Sequence, residues 1–276
     1  MGLLKWVGGK SREAKLIISY FPRKEDVDVY FEPFVGAGSC LLEYRPSKFV
    51  INDVNYDLMR VYRALRYSSK TFLEELEALV ETYKSLDFNG KQDFYYQIRS
   101  KFNDTNLLRT AHDFYFLISF SYNGLCRYNS KGELNSPWGK DTVRFNLEAK
   151  RLSLENIASY LQEGGVQDKV MLMGDYYKQF YGCNRGRPED FVYFDPPYHE
   201  TYNSYDKTLV KEPFDQLTFF NRCIKNTQSR WLVTNSGTSF IRDLYKDFTI
   251  IDLPASRVVG PKHSRKKVND IIIKNY

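Results

Sequence analysis

The first candidate site for chemistry in this sequence consists of Asp195, Pro196, Pro197 and Tyr198, which directly follow the apolar run 191–194. Two consecutive prolines fix φ and remove two N–H donors, so the segment is stiff and its carbonyl groups are left as acceptors. The Asp195 carboxylate is another acceptor, and the Tyr198 ring offers a flat face. We interpret this segment as a pocket that stacks on an adenine while Asp195 and the Pro196 carbonyl accept its two N6 hydrogens. A strand-ending turn with Asp195 as its capping residue is the structural alternative.

A glycine-containing turn marks a second candidate site. Gly36 and Gly38 follow an apolar segment and open a predicted helix, where glycine lets the backbone approach a ligand closely. The third glycine of the dinucleotide-binding fingerprint is missing. Asp53 ends the next predicted strand, fifteen residues after Gly38, and an acidic residue there suits the two hydroxyls of a ribose. Packing alone is the alternative for the glycines, and helix capping is the alternative for Asp53.

The N-terminal segment, residues 5–10, has the sequence KWVGGK. A glycine pair flanked by lysine and tryptophan can clamp a small zwitterion. Lys10 would then pair with a carboxylate, and Trp6 would cover one face of the ligand. A basic turn without a ligand is the alternative.

These residues need elements that bring them together, and the sequence predicts an α/β sheet. A strand, turn and helix over 28–44, followed by a strand over 48–55, indicate a parallel sheet with ligand sites at its strand ends. Apolar periodicity predicts helices over about 56–83, 93–102, 111–122 and 147–162. Alternating or apolar runs predict strands over 169–175, 190–194, 230–236, 249–254 and 269–276. A mainly helical insert therefore interrupts the sheet domain at about 56–144.

Composition limits the class of protein. Of the 276 residues, 42% are hydrophobic and 27% charged, as in ordinary globular proteins, and the net charge of +6 fits a polyanionic partner such as nucleic acid. No apolar run approaches the roughly 18 residues that a membrane span needs. The N-terminus does not resemble a secretory signal. The four cysteines and three histidines are scattered, so no metal site or disulfide framework is predicted, and a reducing cytoplasm is expected.

Five segments taken together resemble the Dam-like DNA adenine N6-methyltransferases. They are residues 5–10, 31–39, 51–53, 123–140 and 191–198, in the family order of glycine motif, recognition insert and Asp-Pro-Pro-Tyr. The resemblance runs from Lys5 to the end of the chain. It implies S-adenosylmethionine as methyl donor, no metal, and N6 of a flipped-out adenine in duplex DNA as the methyl acceptor.

The resemblance also implies an architecture. A Rossmann-like, S-adenosylmethionine-dependent methyltransferase core is expected from residues 1–55 and 145–276. A mainly helical target-recognition domain is expected from residues 56–144, with a DNA-reading hairpin near 122–140. A monomer is expected, and a separate restriction endonuclease is one candidate partner.

The family motifs assign roles to individual residues. The implied donor-binding residues are Trp6, Lys10, Phe34, Gly36, Gly38, Asp53, Asp175 and Asp195. Among these, Trp6 and Lys10 would contact the methionine end, Asp53 the ribose, and Asp175 the surroundings of the donor adenine. The implied catalytic residues are Asp195, Pro196 and Tyr198.

The insert and a basic segment carry the implied DNA contacts. These are Tyr122, Asn123, Leu125, Arg127, Asn135, Pro137 and Lys140 in the hairpin, and Arg265 and Lys266 in the segment 260–267. Arg127 is expected to read a guanine through its planar fork. Tyr122 is expected to fill the space left by the extruded base. The hairpin positions favour GATC, although Asp141 stands where the family often has an aromatic residue.

Other functions remain open at this point. Enzymes that methylate cytosine N4 more often carry serine at the position of Asp195, and protein glutamine methyltransferases carry asparagine. An RNA adenine methyltransferase is a further alternative. A catalytically inactive DNA-binding relative is the alternative from another class, and the presence of Asp195, Tyr198, Lys10 and Asp53 argues against it.

Overall fold

A computed structural model describes residues 2–6, 8–140, 145–163, 186–200, 214–259 and 266–276, without the side chains of 255–259 and 266–268. The predicted strand over 169–175 lies outside the described residues. No helix within these ranges is both long enough and apolar enough to cross a membrane.

A six-stranded sheet forms the centre of the described chain. The strands are Tyr30–Glu32 (β1), Phe49–Ile51 (β2), Phe191–Phe194 (β3), Arg230–Ser236 (β4), Thr249–Val259 (β5) and Lys266–Lys274 (β6). Their order is β2-β1-β3-β4-β6-β5. The α/β class is confirmed. The sheet is mixed, because β6 runs antiparallel to both β4 and β5. Since β6 is the next strand after β5 in the chain and pairs with it, an antiparallel pair is the expected arrangement.

The helices predicted over 93–102, 111–122 and 147–162 are present with altered bounds. The α-helices of the described residues are Ala14–Ile18 (α1), Ser39–Tyr44 (α2), Tyr56–Tyr67 (α3), Ser69–Ser85 (α4), Phe88–Asn103 (α5), Ala111–Phe120 (α6), Leu147–Glu163 (α7), Gln216–Phe219 (α8) and Ser239–Leu244 (α9). The single helix predicted over 56–83 is two helices, because Ser68 leaves the helical region at φ −148°. A π-helical turn, Phe220–Ile224, extends α8.

The buried side chains form two clusters, one on each face of the sheet. Successive strand residues point to opposite faces, so Tyr30 belongs to one cluster and Phe31 to the other. The first cluster also contains Leu58 of α3, Phe114 of α6 and Leu154 of α7. The helices of the insert therefore share a core with the sheet. The exact domain boundaries stay predictions.

The segment from Tyr122 to Lys140, which the resemblance predicts to read DNA and which is called the recognition hairpin below for that reason, returns on itself. Two isolated antiparallel bridges pair Ser121 with Trp138 and Tyr128 with Leu134. Helix α5 holds its second arm, because Arg99 Nη1 donates to the Ser136 carbonyl at 3.0 Å. Asn103 of the same helix exchanges two hydrogen bonds with the Leu134 backbone, at 2.9 and 2.8 Å.

The strand order reverses where β1 and β3 end. The chain leaves β1 through α2 to reach β2 on one side, whereas β3 pairs with β1 in parallel on the other side. Ligands of open α/β sheets bind where the strand order reverses in this way, beyond the carboxyl ends of the strands. The glycine turn follows β1 and Asp195 follows β3, so both candidate sites lie at this edge.

Candidate active site

Asp53 lies just beyond β2 and is tied to the glycine turn. Its Oδ2 accepts a hydrogen bond from the Gly36 N–H at 3.0 Å, and its Oδ1 accepts one from the Asn55 N–H at 2.9 Å. The side chain is buried, and this desolvation raises the pKa of Asp53 to about 6. Each carboxylate oxygen keeps a lone pair, so the group can still accept from the hydroxyls of a ligand.

Trp6 packs against the same turn. Gly36 has a φ of +49°, and a Cβ at that position would lie 3.2 Å from Trp6 Cδ1. The indole Nε1 is buried and has no hydrogen-bond partner among the described residues. An unpaired buried donor costs free energy, so an acceptor on a bound molecule would stabilise this N–H. Trp6, Gly36 and Asp53 thus form one contiguous group, and their predicted contacts with a methyl donor remain predictions.

Gly38 and Phe34 serve the turn itself. Gly38 has a φ of +66°, and a Cβ there would lie 2.6 Å from Tyr62 Oη. That hydroxyl donates to the Gly36 carbonyl at 2.9 Å, so the second glycine lets α3 approach the turn. Phe34 packs edge-on against Phe219 in the cluster on the opposite sheet face from Trp6. The predicted donor contacts of Gly38 and Phe34 remain predictions.

Asp195 is held between two protein donors. Lys10 Nζ lies 2.8 Å from Asp195 Oδ2, with side-chain exposures of 7% and 16%. The ammonium also donates to the Gly8 carbonyl at 3.0 Å. Thr234 of β4 donates to Asp195 Oδ1 at 2.7 Å. The sequence predicted that Lys10 pairs with a carboxylate on the donor, whereas its partner in this structure is Asp195.

The proline segment is held by Gln216 of helix α8, which is bonded in turn to Asn235 of strand β4. The carbonyl of Pro197 accepts a hydrogen bond from Gln216 Nε2 at 2.6 Å, and Gln216 Oε1 accepts one from Asn235 at 3.1 Å. The sequence interpretation left the carbonyls of this segment open to a ligand, whereas the Pro197 carbonyl already accepts a hydrogen bond from Gln216 in this structure. The contact of the Pro196 carbonyl with a base remains a prediction.

Tyr198 lies beside this charged pair. The ammonium of Lys10 is 4.6 Å from the centroid of the Tyr198 ring, and the ring is largely buried. The cation therefore contacts one face of the ring and positions it next to Asp195.

Sequence reasoning missed Glu32, the last residue of β1. Its carboxyl group is buried and accepts a hydrogen bond from Tyr30 Oη at 2.8 Å. Burial, with further contributions from Asp195 and Asp53, raises the pKa of Glu32 well above its usual range. The signal was present, because a carboxylate at the carboxyl end of a buried strand is a candidate site residue. Thr234 and Gln216 carried no such signal.

The recognition hairpin presents some of its predicted DNA-contacting residues to solvent. Tyr122 is 58% exposed, and Asn123 beside it has a φ of +55°. Arg127 is exposed, and its Nε and Nη2 donate to the side-chain and main-chain oxygens of Asn135, at 2.8 and 3.1 Å. Asn135 therefore orients the guanidinium fork.

The remaining predicted DNA contacts are more varied. Leu125 and Pro137 are half-buried, and Lys140 is exposed with a φ of +58°. Lys266 is opposite Val259 in the β5–β6 pair, and its side chain is not described. Asp175, Asp141 and Arg265 lie outside the described residues.

Comparisons with known proteins agree on one family. Residues 6–259 match the model of the D12 class of N6 adenine-specific DNA methyltransferases. The chain is 32% identical over 298 residues to the Type II methyltransferase M.MjaIII of Methanocaldococcus jannaschii, covering 99% of this chain and 98% of that relative. It is 30% identical to the Type II methyltransferase M1.LlaDCHI of Lactococcus lactis subsp. cremoris, with coverages of 99% and 94%. It is 27% identical to the DNA adenine methylase of Escherichia coli K12, with coverages of 98% and 93%.

Proposed function

Since the chain belongs to the D12 class of N6 adenine-specific DNA methyltransferases, we propose that it moves a methyl group from S-adenosylmethionine to N6 of an adenine extruded from duplex DNA. The observation that carries this proposal is the position of Asp195. Its carboxylate follows β3, is held by Lys10 and Thr234, and lies beside Tyr198. The neighbouring strand β1 leads into the turn that contacts Trp6 and Asp53.

The residues at β1 and β2 fit the proposed methyl donor. Asp53 retains lone pairs for the ribose hydroxyls. The Trp6 N–H, which has no partner in the part of the chain that the structure describes, offers a donor to an acceptor of the bound molecule. S-adenosylmethionine bound there would supply a methyl group on a positively charged sulfur. The protein contributes position and electrostatics, so no covalent intermediate with the chain is needed.

Asp195 acts on the other reactant. As an oriented acceptor it would take a hydrogen bond from the adenine amino group and turn the N6 lone pair toward the methyl carbon. A new carbon–nitrogen bond forms while the carbon–sulfur bond breaks and its electron pair stays on sulfur. One N6 proton then leaves to Asp195 or to water. Tyr198 would stack on the adenine, which offsets part of the few kcal/mol that extrusion costs.

The recognition hairpin supports duplex DNA as the substrate, with GATC as the proposed site. Arg127 is exposed and its fork is oriented by Asn135, as reading of a guanine edge requires. The net charge of +6 favours binding to a polyanion. Two relatives are named Type II methyltransferases, which supports a separate restriction endonuclease with the same recognition sequence as a partner.

Transfer of a radiolabelled methyl group tests this function. Purified protein is incubated with labelled S-adenosylmethionine and duplexes of known sequence, and the products are digested to nucleosides. We expect N6-methyladenine, mapped to GATC. Asp195→Ala is expected to abolish transfer while donor affinity falls less. Asp247→Ala, which removes an exposed carboxylate between α9 and β5, is the matched control and should keep full activity.

Each other outcome of this experiment would assign a different function to the protein. Detection of N4-methylcytosine would show that cytosine and not adenine is the methylated base. Label found only in RNA would show that RNA and not DNA is the substrate. Sequence-specific DNA binding without any transfer would indicate an inactive relative. Full transfer by Asp195→Ala would remove that carboxylate from the reaction.

A further inference from the structure

The recognition hairpin is joined to helix α3 by a buried hydrogen bond. Tyr128 Oη donates to Asp57 Oδ2 at 2.8 Å, and both side chains are at most 5% exposed. Burial raises the pKa of Tyr128 well above its usual value, so the hydroxyl stays protonated and remains a donor. Neither residue was singled out by the sequence motifs.

The Asp57 carboxylate accepts further hydrogen bonds from two arginines. Arg109 Nη1 donates to Asp57 Oδ2 at 3.1 Å, and Arg109 Nη2 donates to the Gly132 carbonyl at 2.7 Å. Arg60 Nη1 donates to the other oxygen, Oδ1, at 3.0 Å. One buried carboxylate therefore fixes two points of the hairpin, the Tyr128 ring and the backbone at Gly132.

Asn55, two residues before Asp57, continues the connection to the donor site. Its Nδ2 lies 3.6 Å from Sγ of Cys126 in the hairpin, and its Oδ1 caps α3 by accepting from the Leu58 N–H at 2.9 Å. Its backbone N–H is the group that donates to Asp53 Oδ1 at 2.9 Å. Asn55 thus contacts the hairpin with its side chain and the proposed ribose-binding carboxylate with its backbone.

We infer that Tyr128 and Asp57 are positioning residues that couple DNA recognition to donor binding. When the hairpin is bound to its DNA site, it would fix the position of the first turn of α3. The Asn55 N–H, which orients Asp53, would be fixed at the same time. Because Asp53 is buried and is held by two backbone donors within the described part of the chain, a displacement of one of them changes how the carboxylate meets a ribose. The inference rests on the proposed function, since it assigns the donor to Asp53 and DNA to the hairpin.

Coupling of this kind must be reciprocal, which makes it measurable in two ways. If a cognate duplex tightens donor binding by some factor, the donor tightens binding of that duplex by the same factor. Energetic couplings in proteins usually correspond to about fivefold or more in affinity.

The test compares Tyr128→Phe with Tyr160→Phe. Tyr160 lies on α7, outside the hairpin, and is similarly buried. The control therefore removes a tyrosine hydroxyl that donates to the Pro46 carbonyl at 3.0 Å. The dissociation constant of S-adenosylmethionine is measured by calorimetry without DNA, with a cognate duplex, and with a duplex altered at the recognition site. For the wild type and the control, we expect the affinity for the donor to be at least about fivefold higher with cognate DNA than without DNA. Tyr128→Phe should bind it similarly without DNA and lose that enhancement.

Two results would overturn the inference while leaving the proposed function intact. One is a wild-type donor affinity that is the same with cognate and altered duplexes, although methyl transfer is detected. The other is full enhancement in Tyr128→Phe. A wild type without donor binding or methyl transfer would instead refute the proposed function, and the inference with it. If Tyr128→Phe does not fold, Arg109→Gln is the second variant, because it keeps the Tyr128–Asp57 hydrogen bond and removes the link to Gly132. This variant should lose part of the enhancement of donor binding by DNA. An unchanged enhancement in Arg109→Gln would contradict the inference.

Discussion

Lys10 and Asp195 form an ion pair across the candidate active site, with Nζ and Oδ2 2.8 Å apart. The N-terminal segment supplies the cation, and the residue after β3 supplies the carboxylate. Thr234 of β4 holds the second oxygen, so two other parts of the chain fix this carboxylate. The orientation of Asp195 therefore depends on tertiary contacts and not on the proline segment alone.

This pair predicts a strongly non-additive response to mutation. Lys10→Met leaves a nearly buried carboxylate without its cation, and Asp195→Asn leaves the ammonium without its anion. Each single change is expected to lower the free energy of unfolding by about 3–5 kcal/mol, because an uncompensated buried charge is costly. The double variant should be less destabilised than the sum of the two. Urea unfolding of the four proteins measures the coupling, and simple additivity would show that the pair contributes nothing.

The strand-end residues could be predicted from the sequence because local chemistry marks them. Apolar runs followed by a glycine turn, an acidic residue or a proline pair gave β1, β2 and β3 and placed Gly36, Asp53 and Asp195 at one edge of the sheet. Parallel strands bring their carboxyl ends together, so the pattern was sufficient for that statement.

The partners of these residues could not be predicted, because they come from distant parts of the chain. Nothing near Lys10 in the sequence indicates that Asp195 is its counter-ion, and nothing near Tyr128 indicates Asp57. The split of the predicted helix at Ser68 was also missed, since the apolar spacing continues across it. Side-chain pairing between segments is set by packing, which a one-dimensional pattern does not contain.

Donor binding is expected to depend on pH through Asp53. Burial raises its pKa to about 6, from an ordinary value of 3.8. Ribose hydroxyls bind an ionised carboxylate more strongly than a protonated one, so donor affinity should fall as the pH is lowered through about 6. Asp53→Asn should bind the donor more weakly and lose this inflection. Calorimetric titrations between pH 5 and about 8 give the profile, and an unchanged inflection in the variant would assign it to another group, such as Glu32.

The same carboxyl group predicts the sign of a stability change in the free protein. The unfolded chain releases this proton near its ordinary pKa of 3.8, whereas the folded chain keeps it up to about 6. The folded state thus binds more protons in that interval, and its stability should decrease as the pH rises from about 4 to 6. Asp53→Asn should show a smaller decrease in urea unfolding experiments over the same interval. An identical decrease would mean that Asp53 does not titrate there.

The close contact between Gly38 and Tyr62 can be tested by a substitution at Gly38 whose loss of stability a second substitution at Tyr62 should restore in part. Gly38→Ala places a Cβ 2.6 Å from Tyr62 Oη in a backbone conformation with φ +66°. We expect a loss of about 2–3 kcal/mol of stability, from the steric clash and from about 1–2 kcal/mol of left-handed strain. Tyr62→Phe removes the clashing oxygen, so the double variant should be more stable than Gly38→Ala alone. If Tyr62→Phe only adds to the loss, the contact with α3 is not the reason for glycine at this position.

Arg127 and Asn135 predict a separable effect on specificity. Arg127→Ala removes the fork and should lower discrimination at one base pair by roughly 1–3 kcal/mol. Asn135→Ala leaves the guanidinium in place but removes the oxygen that accepts from Nε at 2.8 Å, so the fork is less well oriented. A smaller loss at the same base pair is therefore expected, with the other positions unaffected. Competition between duplexes that differ at single base pairs provides the measurement, and Lys131→Ala at the exposed hairpin tip is the control. A loss at a different base pair in Asn135→Ala would show that Asn135 contacts DNA itself and does not act through Arg127.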